Sequence, residues 1–458
     1  MKSRSITSML VFFVALALSP LGAWAEDGPA PAQPLNLNMA SVAGLAGARS
    51  WASKQAHQDV ATADAVKSRA ASMRWGKVDF DSQYLRFNEP IHIESPVPSN
   101  LVPVLGIRDL VTPLAPQDSL HVNLQAGVPL FTGGKITNAV REAKAGARAA
   151  RALADSADTD VVFEAEQNYL AVLLTQDVVT LNQNALNSYR EHLEHARSAF
   201  REGTAAKYDV IRAEAAVTEQ EKRLIEARNQ NELAMAALRT SLVLEDSATV
   251  EIQGRLFEIQ EPVDLTQAMA ASSQSSPKLR ALKEKIVATK SDVKVQEGDY
   301  LPQITGIAGR EMVTSKLSQT DPTWYAGARL SLELFGGGER HARVSEARSR
   351  LHSAEFEYHH AEEQIRLAVR SAYLDMTSQQ AALASARKAA EQAQESLRLA
   401  SKRFEVGTGT SLEVLDANVS VTAARVGVQH ALYGIDVAFL TIHRYQGDVA
   451  EVATRIQK

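Results

Sequence analysis

Residues 120–134 read LHVNLQAGVPLFTGG and residues 324–338 read WYAGARLSLELFGGG. Phe131-Thr132-Gly133-Gly134 and Phe335-Gly336-Gly337-Gly338 stand 204 residues apart, 335 minus 131. At that offset Val140 falls on Val344, Ala143 on Ala347, Tyr169 on Tyr373, Phe200 on Phe404, Gly203 on Gly407, Val210 on Val414 and Ala213 on Ala417. Aromatics and glycines that match at one offset, without a gap, mark an internal duplication.

Downstream of each Phe-x-Gly-Gly the sequence reads as long helix. No proline lies between Pro129 and Pro262, and none follows Pro322, while Ala, Glu, Gln, Arg and Leu dominate both stretches. Ala165, Val172, Val179, Leu186, Leu193 and Phe200 recur every seven residues, the spacing of a coiled-coil seam. Gly203 ends the first long helix, and a return helix is expected from about Ala205 to Thr240. The second half predicts a helix over Glu339 to Phe404, a break at Gly407 and Gly409, and a return to about Tyr445. A helix over 135–199 would be roughly 97 Å long at about 1.5 Å per residue, and its return partner covers only about half of that. Helical segments upstream of the strands, Ser41 to Ser72 and Leu265 to Glu297, have the missing length. Each half is therefore expected to set two stacked shorter helices against one long one.

Upstream of each Phe-x-Gly-Gly the period changes to two. Leu120, Val122, Leu124, Ala126, Val128 and Leu130 alternate with His121, Asn123, Gln125, Gly127 and Pro129. Trp324, Ala326, Ala328, Leu330, Leu332 and Leu334 repeat the pattern. Earlier strands are expected over Trp75 to Phe87 and Leu301 to Met312. About eleven residues suits a tilted transmembrane strand, although any one such strand also fits a half-buried soluble sheet. Four strands cannot close alone, because barrels begin at about eight, and an open edge in lipid leaves backbone groups unsatisfied. A barrel made of such strands must be shared between chains.

Composition bounds the compartment. The chain has 458 residues, 45% of them hydrophobic, and no Cys, which excludes disulfides, thiolate metal sites, Cys nucleophiles and a lipidated Cys. Lys2 and Arg4, the apolar run Met9 to Leu18 and Ala23-Trp24-Ala25 read as a secretory signal peptide. Its loss takes the formal charge from -5 to -7, because two cations leave with it. No basic excess remains to hold nucleic acid. The expected organisation is a signal peptide over 1–25, a linker over 26–40, a first repeat over 41–255 and a second over 256–458.

These features resemble the TolC-like outer-membrane efflux protein family: duplicated halves, Leu-Phe-x-Gly-Gly ahead of a long helix, and Phe-x-x-Gly-Thr at each hairpin turn. The resemblance spans Val42 to Gly447. It implies a mainly α fold with transmembrane β structure, built from a duplicated helix-strand-strand-long helix-helix unit. It also implies a homotrimer whose 12-stranded barrel in outer-membrane lipid continues into a long periplasmic tunnel. The implied function is a passive exit duct for a periplasmic adaptor (membrane fusion) protein and an inner-membrane transporter. Small-molecule efflux is the expected cargo class, with type I protein secretion as the alternative. From the residues alone, a soluble periplasmic coiled-coil scaffold or adaptor also stays open.

The resemblance further implies that the turns Gly203-Thr204-Ala205 and Gly407-Thr408-Gly409 are periplasmic tips where the adaptor docks. It places Asp209, Phe404, Glu413 and Asp416 at a constriction. Gly409 stands where some relatives have a locking Arg, and Phe404 where some have Tyr, so a closed state held by those groups is in doubt. Glu413 and Asp416, three apart, share a helix face. Threefold repetition would make a cation-favouring ring of them; alternatively, the pair stabilises a helix N-terminus.

Enzyme motifs are lacking: there is no G-x-S-x-G, H-E-x-x-H, P-loop or G-x-G-x-x-G. No catalytic residue, cofactor or metal is expected. His192 and His195 with Glu191 and Glu194, and His359-His360 with Glu362-Glu363, read as solvated helix surface without a third ligand.

Overall fold

The structure, a computed structural model, describes residues 35–96, 100, 102–106, 109–115, 117–245, 248–259, 263–315 and 323–456. The expected signal peptide and most of the linker lie outside the described residues. In chain order the elements are β1 (Leu35–Leu37), α1 (Met39–Arg49), α2 (Trp51–Ser72), β2 (Lys77–Arg86), β3 (Ile91–Pro96), α3 (Val102–Leu105), β4 (Asp109–Ala115), β5 (Asp118–Phe131), α4 (Lys135–Arg201) and α5 (Lys207–Ser241). The second half follows with β6 (Val250–Ile252), α6 (Leu265–Ser275), α7 (Pro277–Glu297), β7 (Gln303–Ser315), β8 (Thr323–Ser331), α8 (Glu339–Glu405), α9 (Ser411–Gln446) and α10 (Val449–Ile456).

The expected long helices form: α4 and α8 are each 67 residues, about 100 Å at 1.5 Å per residue. Each starts behind two glycines in the left-handed region, Gly133 (φ 59°) and Gly134 (φ 82°), or Gly337 (φ 62°) and Gly338 (φ 89°). That is why Phe-x-Gly-Gly ends a strand and opens a helix: consecutive positive φ values turn the chain sharply and disfavour a Cβ. A Cβ on Gly133 would also come within 2.5 Å of the Gly298 carbonyl oxygen.

The upstream helices differ from expectation in one respect, since both are broken. Ser50 separates α1 from α2, its Oγ accepting from the Ala52 amide at 3.2 Å, and Ser276 with Pro277 at the first helical position separates α6 from α7. Ser50 and Ser276 are 226 residues apart (276 minus 50), as are Lys77 and Gln303 (303 minus 77), whereas Gly134 and Gly338 are 204 apart. The halves thus differ by 22 residues (226 minus 204), inserted between β2 and β5 where β3, α3 and β4 lie. This proline-rich connection folds back as the antiparallel hairpin β3-β4.

The helices form one layer. Near the sheet, α4 lies between α2 and α7: Arg151 pairs with Asp64 at 2.9 Å and Arg148 with Glu284 at 2.7 Å. The pair Lys285 and Glu357, 2.6 Å apart, ties α7 to α8. Further along, α5 and α9 take over as neighbours of α4, through Arg190 and Glu221 at 2.7 Å and Arg444 and Asp160 at 2.7 Å. The shorter helices thus hand over α4 at mid-length. There Leu37, Met39, Val42, Tyr169, Leu170, Val172, Leu238, Leu242 and Leu440 make the main core, beside the parallel pair β1-β6.

The remaining sheet has the order β2-β5-β7-β8 and is antiparallel throughout. Its apolar face is bare: Val78 is 71%, Phe80 69% and Trp324 77% exposed. The opposite face carries Asp79, Asp81, Gln125, Asn123 and Glu311, brought side by side by the pairing of Asp79 with Gln125, Asp81 with Asn123, and Asn123 with Glu311. The last strand stops at Ser331, short of the expected Leu334. Its in-chain partner begins at Gln303, opposite Ser331, so Leu332 and Leu334 have no strand beside them within the chain.

Candidate functional site

The cleft at the far end of the helices lies between the two duplicated turns. After α4, Gly203 (φ 76°) reverses the chain, and the Thr204 and Ala205 amides donate to the Ala199 carbonyl at 2.9 and 3.2 Å. After α8, Gly407 (φ 74°) does the same, and the Thr408 and Gly409 amides donate to the Arg403 carbonyl at 2.9 and 2.8 Å. The threonine hydroxyls add a bond to the same carbonyls, at 3.0 Å from Thr204 and 3.3 Å from Thr408. Gly-Thr is thus a helix-stop device: glycine permits the left-handed residue, and threonine satisfies a terminal carbonyl.

A cavity of about 500 Å³ separates the turns. Thr204, Ala205, Asp209, Phe404, Gly407 and Gly409 all line it, with His195, Glu202, Glu405 and Ser411. Six of the sequence-predicted positions therefore meet in one cleft, while Gly203, Thr408, Glu413 and Asp416 lie outside its lining. Asp209 caps α5, its carboxylate accepting from the Ala206 amide at 3.2 Å. Glu413 sits in the first turn of α9, where its amide donates to Thr410 Oγ1 at 3.3 Å, and its carboxylate pairs with Arg403 at 3.3 Å. Asp416, one turn on, is exposed and has no side-chain partner among the described residues.

The duplicated phenylalanines diverge. Phe200, expected in the coiled-coil seam, is 44% exposed, whereas Phe404 is half-buried between the hairpins, against Leu193, Ala196 and Ala213 on one side and Ala400, Val414 and Ala417 on the other.

His192 corrects the sequence reading. It is 5% exposed, not solvated. Its Nε2 shares a 2.8 Å hydrogen bond with Ser411 Oγ, and its ring centroid lies 4.9 Å from that of Phe404. Burial pushes its pKa down to about 4, with His195 acting in the same direction and Asp209 against it. The charged neighbours Glu191 and Glu194 disguised this residue; the partner that buries it is 219 positions away. His359 stays on the surface, 3.8 Å from Glu362. Among the described residues no group of three His, Cys, Asp or Glu side chains converges on a metal-sized site.

Two buried carboxylates outside the cleft carry no motif. Glu166 on α4 is fully buried and neither carboxylate oxygen has a partner among the described residues. Asp436 on α9 is equally buried, and one oxygen accepts from the Phe257 amide at 3.2 Å. Desolvation raises both pKa values to about 8.

With this arrangement in view, the sequence matches the family described as outer membrane efflux protein over residues 114–242 and 269–447, on both sides of the duplication. The chain belongs to the outer membrane efflux protein family. It is 25% identical over 329 residues to the outer membrane efflux protein BepC of Brucella suis, covering 69% of this chain and 70% of that one. It is 23% identical over 296 residues to the alkaline protease secretion protein AprF of Pseudomonas aeruginosa, covering 62% of this chain and 60% of AprF. The crystal structure of the outer membrane protein VceC of Vibrio cholerae shares the fold, with a TM-score of 0.75 at 18% identity over 89% of this chain and 96% of VceC. As a member of the family the chain is an outer-membrane exit channel whose helices stand in the periplasm.

Proposed function

We propose that three copies of the chain join their four-stranded sheets into one 12-stranded barrel, and that the helices continue it as a periplasmic tunnel. The observation that carries this reading is the sheet itself, with an apolar face bare to solvent and unpaired outer edges on β2 and β8. In lipid, open edges leave amides and carbonyls unsatisfied at several kcal/mol each, and pairing β8 of one copy with β2 of the next removes both. Leu332 and Leu334, unpaired in the single chain, extend β8 in that arrangement.

The turns Gly203-Thr204-Ala205 and Gly407-Thr408-Gly409 serve in this reading as docking points for a periplasmic adaptor that connects to an inner-membrane transporter. Tyr208, Ile211 and Val406, exposed around them, give a partner apolar surface to cover. Asp209, Phe404, Glu413 and Asp416 surround the narrow end of the duct. The chain conducts passively and catalyses nothing. Small molecules are the cargo this reading favours. The similarity to AprF, a protease secretion protein by name, supports protein export as a second reading.

Single-channel recording of the mature protein in a planar bilayer under a salt gradient tests the proposal. Discrete steps from a detergent-resistant trimer are expected. A soluble monomer without conductance overturns it. Deleting the gene separates the cargo readings: dye accumulation in the cells marks efflux, and loss of a secreted protein marks export.

A further inference from the structure

Among the described residues two arginines lie on the apolar face of the sheet: Arg86, at the end of β2, pairs with Asp118 at 3.7 Å, while Arg310 has no such carboxylate. Phe80 pairs with Leu124, Leu124 with Arg310, and Arg310 with Trp324, so these four side chains form one row across β2, β5, β7 and β8. Flanking rows bring Ser82, Val122 and Met312 on one side and Val78, Ala126, Ala308 and Ala326 on the other, none of them charged. Arg310 is exposed and makes no ion pair with any described carboxylate. Its sequence neighbour Glu311 points to the opposite face, because strand side chains alternate.

Assembly does not supply the missing anion. β7 is flanked on both sides by strands of its own chain. A second copy joining at β8 would bring its β2 about 10 Å away, two strand spacings of about 4.8 Å. The residues β2 presents on this face are Val78, Phe80, Ser82, Tyr84 and Arg86, none acidic.

The side of the strand midpoint on which Arg310 falls, together with its neighbour Trp324, points to the outer leaflet. The helices adjoin the Gln303 end of β7, and Arg310, one residue past the midpoint of this 13-residue strand, lies in its half away from them. Trp324 stands beside it, one residue into β8. Tryptophan concentrates at the headgroup level of transmembrane barrels, and an arginine whose stem lies along apolar surface reaches the same level with its guanidinium. Buried at mid-membrane without an anion, that charge costs about 2–4 kcal/mol.

We propose that Arg310, on the platform of Phe80, Leu124 and Trp324, binds the phosphorylated headgroup of an outer-leaflet glycolipid, whose acyl chains lie along the apolar face. This assignment rests on the reading of the sheet as a lipid-facing barrel wall. The planar guanidinium offers two parallel donors to one phosphate, and the aromatic and aliphatic row offers the chains a dry surface.

Native mass spectrometry of the detergent-purified protein tests it, with diphosphoryl lipid A as the probe and phosphatidylethanolamine as the neutral control. Wild type is expected to retain lipid A, Arg310→Lys, which keeps the charge without the parallel donors, to retain less, and Arg310→Gln to retain least, about tenfold below wild type, the effect of losing one charge-assisted contact. Arg329→Gln, whose residue lies on the opposite face, should behave as wild type. Equal retention by wild type and Arg310→Gln, in proteins that both form detergent-resistant pores, overturns the assignment and leaves the barrel standing. Loss of pores and of membrane association in the wild type overturns both.

Discussion

Nε2 of His192 and Oγ of Ser411, 2.8 Å apart, join the end of the first long helix to the start of the last return helix, so the two hairpins share a buried polar contact beside the tip cleft. His192→Ala leaves the Ser411 hydroxyl without this partner and opens space beside Phe404. A cost of about 1–3 kcal/mol is expected. Acid should act in the same direction. The native pKa of about 4 lies below the ordinary 6.5, so between those values the unfolded chain binds more protons and stability falls as pH drops. The slope is at most about 1.4 kcal/mol per pH unit. Thermal unfolding of wild type and His192→Ala from pH 7 to pH 4 checks this; a wild type no more acid-sensitive than the variant would refute it.

Phe404 and Phe200 occupy equivalent positions in the duplication yet face different surroundings. Phe404→Ala should destabilise by about 2–3 kcal/mol, less than the 3–5 of a fully buried ring. Phe200→Ala, at an exposed site, should stay within about 0.5 kcal/mol. Parallel denaturation of the two variants decides whether the asymmetry holds in solution.

These contrasts show where sequence was informative. Phe-x-Gly-Gly carries its own conformational demand, two successive left-handed residues, so strand end and helix start were both legible from it. The period-two and heptad stretches were long enough to read for the same reason: each repeats one local preference many times. The break at Ser50 escaped notice because a capping hydroxyl looks like any helical serine until its amides are placed; at Ser276 the side chain caps nothing, and the signal is Pro277 at the first helical position. β1 and β6, three residues each, are too short for a period and pair only because the duplication brings them together. At the tip, the turns were legible from Gly-Thr, but the burial of His192 was not. It depends on a helix from the other half of the chain.

The carboxylates of Glu166 and Asp436 should make the helical core sensitive to base. Their pKa values rise to about 8 in the folded chain, so between the ordinary carboxylate range and that value the native state binds more protons than the unfolded state. Stability then falls as pH rises through this window, by at most about 1.4 kcal/mol per pH unit for each group. Glu166→Gln is neutral at every pH and close to isosteric. Its melting temperature should exceed that of wild type at pH 8, with the gap closing toward pH 5. A gap that is constant with pH would show that Glu166 is ionised in the native state.

Glu413 and Asp416 differ in what they can offer a passing ion. The Glu413 carboxylate is 3.3 Å from Arg403, so its field is largely offset within its own hairpin. Asp416 has no such partner among the described residues and stands exposed one helical turn further on. If threefold assembly brings these residues around the narrow end of the duct, Asp416 supplies most of the uncompensated negative charge, and negative charge lining a pore favours cations. Asp416→Ala should therefore lower cation selectivity more than Glu413→Ala does. Arg403→Gln, which releases Glu413, should raise it. Reversal potentials of the three variants under one salt gradient give the ranking. Identical potentials in all three would mean that the acids serve only the N-terminus of the last return helix, where a carboxylate contributes about 0.3–1 kcal/mol to stability and nothing to conduction.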